Sequence, residues 1–277
     1  MPSVSVTSVP FISHVVTPLF CLFTFEQEGE EKYGDVYTTW KTNPANFEID
    51  GKFPVRELWE RGTKCWETIL KAEGTDILVV AHNAVNQAVV AHALGLGPAC
   101  FRRLAQSNCG LTTFTCIPSH GAEPAGFVLE QLNQTPAPPL HGNTVLVCAF
   151  DGSVEEIAPA IATAFGAESV DCVLCDNAAS SSSLARDVAT LLRWETPTRS
   201  SGSLIDFLKS PGTTVMFAES YTIDFVVGSV LQLDEGLGSR LRLTPGGFTI
   251  IDFDGDVDDY SATIACLNYT AHLSELE

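Results

Sequence analysis

Basic residues are scarce in this chain. Fifteen lysines and arginines stand against 34 aspartates and glutamates in 277 residues, a formal charge of −19. A nucleic-acid groove or an anionic membrane surface would have to be built against that field, so neither partner is expected. An anionic small substrate stays open, because salt screens the background beyond about 10 Å and a local Arg and His cluster can outweigh it.

Long apolar runs are lacking as well. The opening stretch MPSVSVTSVPFISHVVTPLFCLFTF is free of acids, but Pro10, His14 and Pro18 interrupt it. It falls short of the roughly 20 unbroken residues of a membrane span. It has neither the basic start of a secretion signal nor the arginines of a transit peptide, so residues 1–25 are expected to be irregular.

A disulfide frame and a metal site are missing too. The 9 cysteines are odd in number and sit mostly in apolar runs such as TVLVCAF and SATIACLNY, which suits reduced core thiols. Cys172 and Cys175 have a paired spacing, but no second pair or nearby histidine completes a zinc site, and a plain strand is the better reading. DFDGDVDD, counted from Asp252, places Val257 and Thr263 where a calcium loop needs glycine and glutamate, so it reads as an acidic turn. Asn133 and Asn268 begin N-x-T sequons, which carry no meaning without a secretory signal. No metal and no cofactor are expected.

What is present is an ordinary globular composition, 45% hydrophobic and 18% charged, long enough for one large core or two modest ones. FPVRELWERGTKCWETILKAEG spaces Leu58, Trp66, Ile69 and Leu70 as one helix face before a glycine stop. DILVVAH reads as a buried strand, AVNQAVVAHALGLG as a helix, and LTTFTCIP and GFVLEQL as two further strands. Residues 133–143, NQTPAPPLHGN, break both periodicities and read as a linker between domains. Beyond it strands and helices alternate, the helix SSSSLARDVATLLR with a serine for its N-cap, which predicts an α/β fold with a largely parallel sheet.

A long repeat runs through this pattern. ILVVAHNAVNQAVV aligns with TVMFAESYTIDFVV, placing His82 opposite Glu219, 137 positions on; the same offset sets CGLTTF opposite GGFTII. One long repeat predicts two copies of one domain. His82 and Asn83 stand at the carboxyl end of a strand, where open α/β sheets bind ligands. An imidazole there can bind a phosphoryl oxygen, move a proton or ligate a metal, or it can merely cap the helix that follows.

YGDVYTTWKTNPANFEIDGKFPVRELWERGTKCWETIL, ILVVAHN and LAQSNCGLTTF, in that order and spacing, resemble the second half of the histidine phosphatase, or phosphoglycerate-mutase-like, superfamily. TVLVCAFDG, CVLCDNAASSSSLARDVATLL, MFAES and ATIACLNYTAHL resemble a whole, degenerate second member. The AHNAVNQ wording in tandem copies is most similar to a plant chloroplast branch that dephosphorylates a sugar acid. The resemblance implies two tandem three-layer domains, residues 26–132 (incomplete) and 144–277 (degenerate). It implies a small phosphorylated sugar or sugar acid as partner and a phosphohistidine mechanism. His82 matches the second, phosphate-holding histidine among the catalytic residues, and Asn83, a substrate-binding candidate, replaces the usual glycine.

The nucleophile's motif, Arg-His-Gly, has no match. FISHVVT offers His14 and Thr17, but Ser13 and Val15 replace the arginine and glycine, and the spacing to the later motifs is too short. In the second copy Ala149 and Phe150 take the arginine and histidine positions, Glu219 replaces the later histidine, and Arg186 reads as a solvated helix residue. The expectation is a chain truncated at its start. It would be either a phosphatase by descent or a non-catalytic module that binds a phosphate ligand or a protein.

Overall fold

Pro54 needs no N–H at a helix start and its φ is already helical, and it opens the longest helix of the first half. In a computed structural model of the chain, residues 4–6, 34–72, 75–117, 126–140, 142–149, 154–166, 170–176, 179–193, 198–199, 212–233, 236–254 and 261–273 are described. His14, Phe150 and the acidic turn at 255–260 lie outside them. Contacts divide the chain into two units, Met1–Arg102 and Arg103–Glu277.

The first unit holds β1 (Val4–Val6), α1 (Asp35–Thr42), α2 (Pro54–Ile69), β2 (Asp76–Leu78) and α3 (Asn83–Ala93). Its core is aromatic: Trp40 packs on Phe47 and Phe101 at 5.1 and 5.4 Å between ring centroids, and Trp59 donates its indole N–H to Leu96 O at 3.1 Å. The helix face read from the sequence holds for Leu58 and Ile69, which are buried, while Trp66 is half-buried. Leu70 falls at the C-cap and is exposed. Helices α2 and α3 meet where Gly62 faces Ala88, and a Cβ built on Gly62 would lie 3.1 Å from the Ala88 Cβ. Gly62→Leu is therefore expected to cost about 1–3 kcal/mol by overpacking. Thermal unfolding checks it, with Gly62→Ala expected near neutral because its helix propensity offsets the crowding.

DILVVAH is shorter and more exposed than expected. Only Asp76–Leu78 forms a strand, with β1 as a parallel partner through Ser5 and Ile77, so part of the 1–25 segment is regular after all. Ile77, Leu78 and Val80 are 37%, 43% and 77% exposed. The physical reason is a want of flanks: among the described residues β2 belongs to a two-stranded sheet, which cannot cover both faces.

The second unit holds β3 (Leu111–Ile117), β4 (Gly126–Gln134), β5 (Thr144–Ala149), α4 (Val154–Phe165), β6 (Cys172–Cys175), α5 (Ala179–Leu192), β7 (Thr198–Arg199), β8 (Thr214–Glu219), α6 (Ser220–Val230), β9 (Phe248–Asp254) and β10 (Ser261–Tyr269). One sheet runs β3-β4-β10-β9-β5-β8-β6-β7, so this unit is mixed α/β. Strands β5, β8, β6 and β7 are parallel and the other pairings antiparallel. Val145, Val147, Val215, Phe217, Phe248 and Ile250 are fully buried in its core with Ile161, Leu184 and Val188 from α4 and α5. The serines of SSSSLARDV lie inside α5, which already begins at Ala179, so none of them is its cap.

The contact division falls at Arg102 because β3 and β4 join the sheet of the second unit. The joining strands carry an internal two-fold. Leu132 of β4 pairs with Leu267 of β10, and each precedes an asparagine. Asn133 Nδ2 donates to Ala265 O at 2.7 Å, and Asn268 Nδ2 donates to Glu130 O at 2.7 Å, the same bond read in the opposite direction. Residue i meeting j while j meets i is the mark of an isologous contact. Both asparagines are left-handed, φ 53° and 54°, and each accepts a backbone N–H on Oδ1, from Ser107 at 2.7 Å and Thr244 at 2.8 Å. Gly110 and Gly247 sit where a Cβ would strike those same oxygens.

Candidate functional site

His82 is the N-cap of α3, extended at φ −75° and ψ 156°, and its imidazole is exposed and makes no capping hydrogen bond. A helix start carries unsatisfied N–H groups and a partial positive charge, so an exposed imidazole beside it forms an anion-facing corner. Asn83, the first helical residue, is exposed as well.

Behind this corner lies a chain of amides. Asn86 Nδ2 donates to Ala81 O at 3.1 Å, holding the strand tip against the helix. Gln87 Nε2 donates to Asn83 Oδ1 at 2.6 Å, and Arg102 N–H donates to Gln87 Oε1 at 3.0 Å. Gln87 is buried, 9% exposed, within an otherwise apolar helix face.

The second unit repeats the backbone and changes the chemistry. Glu219 caps α6 at φ −69° and ψ 158°, and α6, like α3, is 11 residues long. Asp176, just after β6 and buried, accepts the Glu219 N–H at 2.9 Å and the Thr222 hydroxyl at 3.2 Å on one carboxylate oxygen. An internal carboxylate thus sits at the start of α6. Ala149 at the β5 tip is buried opposite Glu219, with no polar atom on its side chain. Burial, and then the charge of Glu219, push the Cys148 thiol up to about 12, so it is no nucleophile. Arg186 is exposed on α5. Cys172 and Cys175 are strand residues of β6.

Sequence reasoning missed Gln87, Asp176 and the two asparagines. For Gln87 a signal existed, a lone amide on an apolar helix face four residues from Asn83. For Asn133 and Asn268 it was their recurrence, noticed only as sequons.

Part of the chain is similar to known proteins. Residues 24–125 match the family model of the histidine phosphatase superfamily (branch 1). The chain is 51% identical over 123 residues to 2-carboxy-D-arabinitol-1-phosphatase of Triticum aestivum, covering 43% of this chain and 25% of that protein. It is 45% identical over 151 residues to probable 2-carboxy-D-arabinitol-1-phosphatase of Arabidopsis thaliana, covering 50% of this chain and 31% of that protein. The chain thus spans about a quarter to a third of the length of these curated relatives. His82 and the start of α3 lie inside residues 24–125, the stretch that is similar to the histidine phosphatase superfamily (branch 1).

Proposed function

We propose that this chain binds the phosphate group of a small phosphorylated sugar or sugar acid, 2-carboxyarabinitol 1-phosphate in the first instance, at His82 and Asn83, and does not turn it over. The observation that carries this is the exposed His82 at the start of α3, within the segment matched to the superfamily. Phosphoryl transfer through a phosphohistidine needs a nucleophilic histidine facing the phosphate clamp. No Arg-His-Gly sequence occurs in the 277 residues, and the second copy has Ala149 and Glu219 at the corresponding strand tips. We read the chain as two copies of one domain, residues 26–132 and 144–277. The common 11-residue helices and the mirrored asparagine bonds support that reading. The resemblance carries the chloroplast as compartment.

Titration calorimetry with 2-carboxyarabinitol 1-phosphate and with orthophosphate tests the site. His82→Ala is expected to weaken both by about tenfold or more, the loss of a hydrogen bond to a charged group. Hydrolysis of p-nitrophenyl phosphate is expected at the buffer rate. Turnover that His82→Ala abolishes would overturn the non-catalytic reading and leave the phosphate site standing.

A further inference from the structure

The amide chain behind the site dictates which way Asn83 faces. A backbone N–H can only donate, so the Gln87 atom 3.0 Å from the Arg102 N–H is its carbonyl oxygen. The Gln87 NH2 is then the group 2.6 Å from Asn83, and because an NH2 can only donate, the Asn83 atom it meets is Oδ1. Turning Gln87 over would set N–H against N–H at Arg102 and a carbonyl oxygen against Asn83 Oδ1. Burial makes that doubly costly, since the groups left unpaired could not reach water. Arg102 is itself fixed by the turn that presents its N–H, at φ 73°.

With Oδ1 committed, the Asn83 NH2 is what remains for a ligand, and it is bonded to nothing else among the described residues. We propose that Gln87 is a positioning residue that holds Asn83 as a hydrogen-bond donor toward the phosphoryl oxygens. The clamp of α3 N–H groups and His82 then gains a side-chain donor where a carbonyl oxygen would repel the ligand. This rests on the phosphate-binding reading of His82. It adds a selectivity: the ligand must offer an acceptor to Asn83, as an ionised phosphate does and a donor-only group such as an ammonium does not.

Nuclear magnetic resonance with inorganic phosphate as probe tests it, reading the dissociation constant and the side-chain NH2 signals of Asn83. Phosphate is expected to shift the Asn83 NH2 pair. Asn83→Ala, at an exposed position that does not threaten folding, is expected to weaken phosphate about threefold to tenfold. Asn83→Asp, which turns an acceptor and a negative charge outward, should weaken it further while leaving the melting temperature at or above the parent's, since an acid suits a helix start. Gln87→Glu, which still accepts from Arg102 but offers Asn83 an oxygen, should weaken phosphate in the parent and have no effect on it in the Asn83→Ala background. If Asn83→Ala left the dissociation constant unchanged while His82→Ala raised it, the positioning role would fall and the phosphate site would stand. If neither substitution changed it, the site itself would fall. Equal weakening by Gln87→Glu in both backgrounds would make Gln87 a structural residue that does not act through Asn83.

Discussion

Asn268→Ala is expected to lower the unfolding free energy by about 3–5 kcal/mol. The side chain is buried, 3% exposed, and satisfies three partners: it accepts the Thr244 N–H at 2.8 Å and donates to Glu130 O at 2.7 Å and Thr244 Oγ1 at 3.2 Å. Alanine would leave a buried N–H and a buried carbonyl unpaired, each costing about 1–3 kcal/mol. It would also place a Cβ without a local hydrogen bond at φ 54°, which adds about 1–2 kcal/mol. Asn133→Ala should cost a similar amount, because its partners Ser107 N–H and Ala265 O are the same bonds across the internal two-fold. Two controls separate strain from bonding. Asn268→Gly removes the strain but not the unpaired groups, so it should recover about 1 kcal/mol. Asn268→Asp keeps the acceptor for Thr244 N–H but aims an oxygen at Glu130 O, and should do no better than alanine. Urea unfolding reads each as a shift in midpoint. An aspartate variant as stable as the parent would show that the β4 to β10 bond carries no energy.

These residues also mark where sequence reading stops. Helices α2, α3 and α5 and strands β3 and β4 were legible because periodicity and turn residues are local signals. The 137-residue offset was legible too, since matching Gly110 with Gly247 needs no coordinates. Asn268, by contrast, bonds to Glu130, 138 residues away, and nothing within its own stretch announces that partner. Residues 133–143 were read as a boundary from their prolines; the contact division at Arg102 has no local signal, because the pairing of β4 with β10 is a long-range contact. The strand DILVVAH was overestimated for a related reason: apolar residues forecast burial, but burial of Val80 needs neighbours that β1 and β2 do not supply. His82 and Asn83 were singled out from their place at a strand tip, and the structure sets both, exposed, at the start of α3. Gln87 escaped because its role depends on Arg102, 15 residues on, presenting an N–H in a left-handed turn.

Removing the Asp176 carboxylate should destabilise the second unit by about 2–3 kcal/mol, measured on Asp176→Ala by the midpoint of urea unfolding. The backbones of α3 and α6 start alike, so both present the same unsatisfied N–H groups and the same end of the helix dipole. At α6 the chain answers with its own anion, a buried carboxylate bonded to Glu219 N–H and Thr222 Oγ1, and charge-assisted bonds of this kind are about twice as strong as neutral ones. Asp176→Asn keeps an acceptor oxygen but gives up the charge, and should cost about 1 kcal/mol. At α3 the cap and the first helical residue, His82 and Asn83, are exposed, and Asn83→Ala should cost about 1–2 kcal/mol because it leaves the buried Gln87 NH2 without its acceptor. Two helix starts of one geometry therefore differ: α6 has an internal acceptor, whereas α3 begins with the exposed His82 and Asn83. If Asp176→Ala unfolded at the parent's urea concentration, the carboxylate would not be what satisfies the start of α6.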